Sequence, residues 1–277
     1  MSTIDNATDT ERFHRWQMDR LSTFEKSPVS FGKGPSGVTV VTYFFRPEET
    51  AAKLFPYTKC AILETWRHCG TMKTVIVSHS LTRPVDEFAK RFPDWVEVQV
   101  EPALKPRPPG DIASMSVDCN SRLHTRFSTP WVLIVQDDGF PLRPGLEEFL
   151  GKWDYVGAPL TGKDDWITRR LLKTSNLAVN GGFSLRSHDI CKEASRLWNA
   201  GWKHLPDCYL AQEDYFYARL LPRWVKSFDR RFRFASVEEA SRFSVELAAL
   251  PDAMPFGFHS AAAFCRILDR FQALRGI

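Results

Sequence analysis

Four short runs rich in β-branched and aromatic residues, separated by stretches with helical spacing, constrain this chain more than any other feature. They are VTVVTYFF (residues 38–45), TVIVSH (74–79), WVEVQV (95–100) and PWVLIVQ (130–136). The first two are near-continuous apolar runs, which is how a strand buried on both faces reads, and the third alternates. Between the first two, Ala51, Leu54, Ala61, Ile62 and Trp66 recur at helical spacing up to His68, and Pro47 suits a first helical turn. PVDEFAKRF (84–92) and IASMSVDCNSRLHTRF (112–127) predict two further helices, and EPALKPRPPG (101–110) a Pro-rich loop. Strands alternating with helices predict an α/β fold with a doubly wound, mostly parallel sheet. Ligands of such sheets bind beyond the carboxyl ends of the strands.

After residue 150 the pattern turns mixed. WDYVGAPL (153–160) and GGFSLRS (181–187) read as shorter strands, helices are expected near 187–199 and 212–221, and AFCRILDRFQAL (263–274) as a last helix. Residues 1–36 read as an annex: Thr8 and Glu11 have capping-box spacing ahead of a helix carrying Phe13, Trp16, Leu21 and Phe24. FGKGPSG (31–37) then reads as a link, leaving 37–277 as a single domain.

Composition narrows the class of function. The 277 residues carry 37 basic and 33 acidic side chains, a net charge of +4. That mild, scattered excess suits an anionic small ligand and argues against nucleic acid, which usually requires a concentrated basic face. The six cysteines form no CxxC pair and no zinc spacing, and read as reduced, buried cytosolic thiols. The N-terminus has no apolar signal-peptide core, and no run reaches the ~20 apolar residues of a bilayer span. The expected location is the cytoplasm, or a membrane surface approached from it. On the last helix Phe264, Ile267, Leu268, Phe271 and Leu274 form a stripe beside Arg266, Arg270 and Arg275. Packing against the domain is one reading of that stripe, and a peripheral membrane contact the other.

Four motifs carry chemistry. In Gln136-Asp137-Asp138-Gly139 two adjacent acids end an apolar strand. Unpaired buried charge is costly, and a divalent cation such as Mg²⁺ or Mn²⁺, which prefers oxygen ligands, would relieve it; a solvated turn is the alternative. Asn180-Gly181-Gly182 lets backbone approach a ligand closely, or forms a hairpin turn. Glu213-Asp214 opens a helix, as an N-terminal cap or as a base for an acceptor hydroxyl. His259 ends PFGFH, as a core residue or a metal ligand.

The order QDDG, DYVGAP, NGGFSLRS, QEDYF, PFGFH over residues 38–260 resembles glycosyltransferases of the GT-A fold. More closely, it resembles the bacterial and fungal group DUF5672. The resemblance implies a GT-A-like sheet and sugar transfer from a nucleotide-sugar donor to a hydroxyl of a glycan or lipid-linked acceptor, metal-assisted and inverting. It assigns Asp138 and His259 to the metal, Asp214 to the base and Glu213 to the acceptor. Gln136 stands where that family's first metal-motif acid is expected, and with Asp137 it falls on the donor side. Thr42, Tyr43 and Arg46 after the first strand, Ser78 after the second, and Asn120 and Arg122 before QDDG are further donor contacts. Asn180, Gly181 and Gly182 line the sugar. The segment 161–179, with Lys163, Trp166, Arg169, Arg170 and Lys173, is either a lid over the donor or a solvated basic helix. Two competing readings are a nucleotidyltransferase, disfavoured because FFRPEET lacks a glycine run after the first strand, and a non-catalytic carbohydrate-binding scaffold, favoured by Gln136.

Overall fold

The computed structural model describes residues 8–26, 30–104, 113–159, 178–201, 213–217, 221 and 232–271. Residues 161–177 of the expected lid (161–179), Gln212, Cys208 and the end of the last helix lie outside them. The expected strands form as β1 (Val38–Tyr43), β2 (Thr74–Ser78), β3 (Val96–Val100), β4 (Trp131–Ile134), β5 (Tyr155–Pro159) and β6 (Ala178–Ser187). They make one sheet in the order β3-β2-β1-β4-β6-β5. The first four strands are parallel, and β6 runs antiparallel to both β4 and β5. This is the α/β, mostly parallel sheet with a mixed C-terminal half that the alternation predicts. Val40, Val41, Val132, Leu133 and Ile134 are fully buried, as central parallel strands covered on both faces require.

Helices α1 (Asp9–Lys26), α2 (Glu48–Cys69) and α3 (Arg83–Arg91) precede α4 (Ala113–Ser121) and α5 (His188–Asn199). Pro47 is the N-cap of α2 rather than its first residue, and Gly70, at φ 81°, ends it. The helix expected over 112–127 is shorter: α4 stops at Ser121, Arg122 leaves helical geometry at φ −141°, and a 3₁₀ turn follows at Leu123–Thr125. The alternation does not reveal α6 (Val237–Phe243), which opens with a Ser236/Glu239 capping box, or the short parallel pair β7 (Ser244–Val245) and β8 (Gly257–Phe258). Helix α7 (Ala261–Arg270) follows. Its apolar stripe packs inward, with Phe264 and Ile267 buried and Leu268 and Phe271 against the same cluster. Arg266 and Arg270 hold the carbonyls of Ala248 and Leu250 at 3.1 and 3.0 Å.

The Thr8/Glu11 capping box forms, and Phe13 of α1 lies in one core cluster with Phe140, Phe258 and Phe264. Arg20 of α1 reaches the buried Glu64 of α2 at 2.7 Å.

One irregularity positions the candidate site. Gly157 of β5 pairs with Ser184 of β6, yet Ala158 pairs with Asn180. Gly181, Gly182 and Phe183 are therefore extra residues on β6, a bulge of the kind that re-aims backbone beside functional sites. Asn180-Gly181-Gly182 leads from the paired Asn180 into this bulge and is not a hairpin turn.

Candidate active site

The strand β4 delivers the acidic turn at its carboxyl end. Gln136 and Gly139 exchange both backbone hydrogen bonds (3.0 and 3.1 Å), which places Asp137 and Asp138 at the corner. Both corner carbonyls are held from outside: Gln17 Nε2 of α1 donates to the Asp137 carbonyl over 2.6 Å, and the Ser260 N–H to that of Asp138 over 2.8 Å. Burial and the neighbouring Asp138 charge push the Asp137 carboxyl up to about 6, against the pull of Arg46 and His259. Asp138 is the more open acid, with 41% of its side chain exposed.

His259 follows β8 and faces this turn. Its Nε2 lies 3.2 Å from Gln136 Oε1 and 3.5 Å from Asp138 Oδ1, and its Nδ1 lies 3.4 Å from Glu246 Oε1. Burial disfavours the imidazolium, but Asp138, Glu246 and Asp214 outweigh it and raise the ring to about 9. Arg266 donates to the Glu246 backbone carbonyl. Gly182 must be glycine here, because a Cβ would collide with His259 Nε2 and lie 2.6 Å from Gln136 Oε1.

The other half of the site is the pair at the helical turn Glu213–Tyr215. Gly181 N–H donates to Asp214 Oδ1 at 2.6 Å, and Ser116 of α4 donates to Glu213 Oε2 at 3.0 Å. Burial, the charge of Glu213 and a hydrogen bond with it raise Asp214 well above the usual carboxylate range. Arg186 of β6 is fully buried behind the pair. Its guanidinium lies over the Tyr217 ring at 4.4 Å, donates to the Gly181 carbonyl at 3.2 Å and sits 3.9 Å from Glu213 Oε1.

Four sequence segments thus converge on one place: Gln136–Gly139, Asn180–Gly182, Glu213-Asp214 and His259. Asn180 Oδ1 accepts from Gly182 N–H at 2.7 Å and so shapes the bulge. Arg46 is close enough to Asp137 to act on its charge. Thr42 is buried at the end of β1, its Oγ1 without a hydrogen-bond partner. The remaining expected donor contacts are engaged elsewhere or enclosed. Tyr43 donates to Asp118 Oδ2 (3.0 Å), and Arg122 pairs with Glu101 (3.0 Å) and Asp118 (3.4 Å). The Ser78 hydroxyl lies between the carbonyls of Phe44 and Ser80 (2.7 and 2.8 Å), and Asn120 is buried on α4. Gln17, Ser116, Arg186 and Glu246 escape the sequence reading. Arg186 alone had a signal, since it stands within NGGFSLRS.

The site can take a cation. An Asp138 carboxylate and a His259 ring nitrogen face each other, and Glu246 backs the other nitrogen, the support that metal-binding imidazoles commonly have. Among the described residues no group of three or more His, Cys, Asp or Glu side chains could hold a metal. A cation held by Asp138 and His259 would need its remaining ligands from phosphate oxygens or water, as Mg²⁺ commonly has. A separate groove between α1, α2 and α3, lined by Met18, Leu21, Phe55 and Phe88, holds none of these groups.

An α/β sheet with paired acids, a glycine bulge and an imidazole at one strand end defines the class of site. The family described as protein of unknown function, DUF5672, matches residues 114–259, more than half of the 277, and the chain belongs to it. No curated protein matches the chain. Among solved structures, it is similar to mouse xyloside xylosyltransferase 1 (12% identity, 82% of this chain and 98% of that one, TM-score 0.49). It is similar to core-mannan synthase A from Aspergillus fumigatus in its Mn/GDP form (11% identity, 69% and 68%, TM-score 0.41). It is also similar to a mannosyltransferase from Pyrobaculum calidifontis in complex with GDP-Man and Mn²⁺ (12% identity, 66% of this chain, TM-score 0.35), of whose length it spans 56%. Among the described residues, no helix is long and apolar enough to cross a membrane.

Proposed function

We propose that this chain is a glycosyltransferase that moves a sugar from a nucleotide-sugar donor to a hydroxyl of a glycan or lipid-linked acceptor, metal-assisted and with inversion. The observation that carries the reading is the convergence of the acidic turn, the bulge, the Glu213-Asp214 pair and His259, which come from distant parts of the sequence. Asp138 and His259 would hold Mn²⁺ or Mg²⁺, whose chemistry is to neutralise the charge that builds on the leaving diphosphate. Gln136, Asp137 and Arg46 orient the donor beside the turn, with Thr42 and Tyr43 at the end of β1. Ser78, Asn120 and Arg122 act on the donor through the rim they support. Asn180, with Gly181 and Gly182 of the bulge, gives the sugar backbone contact that a side chain would block. Asp214, as a carboxylate, accepts the proton of the acceptor hydroxyl, and Glu213 holds the acceptor side. The buried thiols of Cys60, Cys69, Cys119, Cys191 and Cys265 suit a reducing compartment such as the cytoplasm.

Gln136 favours a second reading, a carbohydrate-binding scaffold without catalysis, because an amide stands at the expected acid and already faces His259. One assay separates the two: release of nucleoside diphosphate from a panel of nucleotide sugars with Mn²⁺, without acceptor. Release that is lost in Asp138→Ala supports transfer chemistry. Sugar binding with no release from any donor supports the scaffold.

A further inference from the structure

The acidic turn is held from three directions, and one of them is the N-terminal helix. Gln136 and Gly139 close the turn on itself, and Ser260 takes the Asp138 carbonyl. The Asp137 carbonyl is taken by Gln17 Nε2, on α1, across 120 residues of sequence. Gln17 is fully buried, and its Oε1 has no hydrogen-bond partner. A buried amide that leaves one end unmet is retained at a cost, so the end that is met has a role. His14, one helical turn before Gln17, stacks on Tyr57 of α2 at 4.1 Å and is near enough to Asp138 to feel its charge. Helix α1 is itself pinned, by the Arg20–Glu64 ion pair at 2.7 Å and by Phe13 among Phe140, Phe258 and Phe264. Two of those phenylalanines directly follow Gly139 or precede His259, so the helix is packed against both sides of the cation-facing pair.

From this geometry we infer that Gln17 is a positioning residue for the candidate site, and that α1 is one of its walls although it lies outside the matched residues 114–259. By taking the Asp137 carbonyl, Gln17 fixes the rotation of the Asp137-Asp138 peptide and with it the direction in which Asp138 presents its carboxylate. The consequence for cation binding rests on the function proposed above; the coupling of Gln17 to the turn does not.

The test uses the full chain and the Gln17→Met variant, which keeps the length and apolar bulk of the side chain and removes the donor. Amide hydrogen exchange at Gln136 and Gly139 is measured without metal, and Mn²⁺ affinity is measured by calorimetry with GDP and UDP as probes. Circular dichroism and an unchanged exchange rate in β1 and β2 establish that the variant is folded. A Gln17→Leu variant, which also removes the donor but differs in side-chain shape, is measured beside it. The inference expects exchange at Gly139 to quicken tenfold or more in both variants while β1 and β2 stay protected, and Mn²⁺ affinity to fall about tenfold. Wild-type exchange in the turn of either folded variant overturns it. If the wild-type chain binds no Mn²⁺ with either nucleotide, the transferase reading falls, and the exchange rates still decide whether Gln17 holds the turn.

Discussion

Ser260 donates its backbone N–H to the carbonyl of Asp138 over 2.8 Å from a conformation, φ 86°, that no other non-glycine among the described residues adopts with positive sign. Backbone strain of this kind costs about 1–3 kcal/mol and persists where the surroundings over-determine it. Here the surroundings are His259 on one side and the acidic turn on the other. The Ser260 hydroxyl also caps α7 by accepting from Ala263 N–H at 3.3 Å. Two substitutions separate the two roles. Ser260→Ala keeps the strain and loses the cap, and is expected to destabilise by ~1 kcal/mol. Ser260→Gly relieves the strain and is expected to be at least ~1 kcal/mol more stable than Ser260→Ala in urea unfolding.

Gly182 stands where a side chain has no room. Gly182→Ala forces a methyl against His259 Nε2 and Gln136 Oε1, and overpacking of this sort costs about 1–3 kcal/mol. The expected result is a folded protein with a lowered melting temperature and loss of cation binding by calorimetry. Retention of both in the alanine variant would remove the bulge from the site.

Arg186 and Glu213 are buried together, and each would be an uncompensated charge without the other. Arg186→Met leaves Glu213 with Ser116 and Asp214 but no cation, and removes the guanidinium from the faces of Tyr155 and Tyr217. Breaking a buried pair in this way costs roughly 3–5 kcal/mol. Because this pair is 3.9 Å apart, the lower end of that range is expected, read as a shift in the urea midpoint at constant slope.

Glu64 gives the fold an acid limit. Burial raises its carboxyl, but His68, Arg20 and Arg67 outweigh burial and hold it below the usual range. A carboxyl with a depressed folded pKa contributes stability that is complete above its unfolded pKa, near 4.3, and is lost as pH falls through the lower folded value. Urea midpoints are therefore expected to fall below about pH 4.3 in the wild type. Glu64→Gln should start lower at pH 7 and fall less steeply, because the group that titrates is gone.

Much of the fold was legible because its signals are local. The β-branched runs at 38–45, 74–79 and 130–136 need no partner to announce buried strands, and Thr8 with Glu11 announces its own helix start. The strand pairing that makes β6 antiparallel is non-local. So is the bulge at Gly181–Phe183, which looks like an Asn-Gly turn until β5 is placed beside it. The acids and His259 were legible by type and order. Glu246 and Gln17 were not, since each acts through one contact with a residue 13 or 120 positions away: Glu246 with His259, and Gln17 with Asp137. Tyr43 and Arg122 were legible by their positions at a strand end and a helix end, while their contacts with the buried Asp118 were not.

In the proposed function, the pair formed by Asp138 and His259 holds a cation that in turn holds a nucleoside diphosphate. Calorimetry of GDP and UDP, with and without Mn²⁺, on the wild type and on Asp138→Ala tests this. One nucleotide is expected to bind the wild type only with Mn²⁺, and Asp138→Ala to abolish this binding without unfolding the protein. No nucleotide binding under either condition, or equal binding by the folded Asp138→Ala variant, would contradict it.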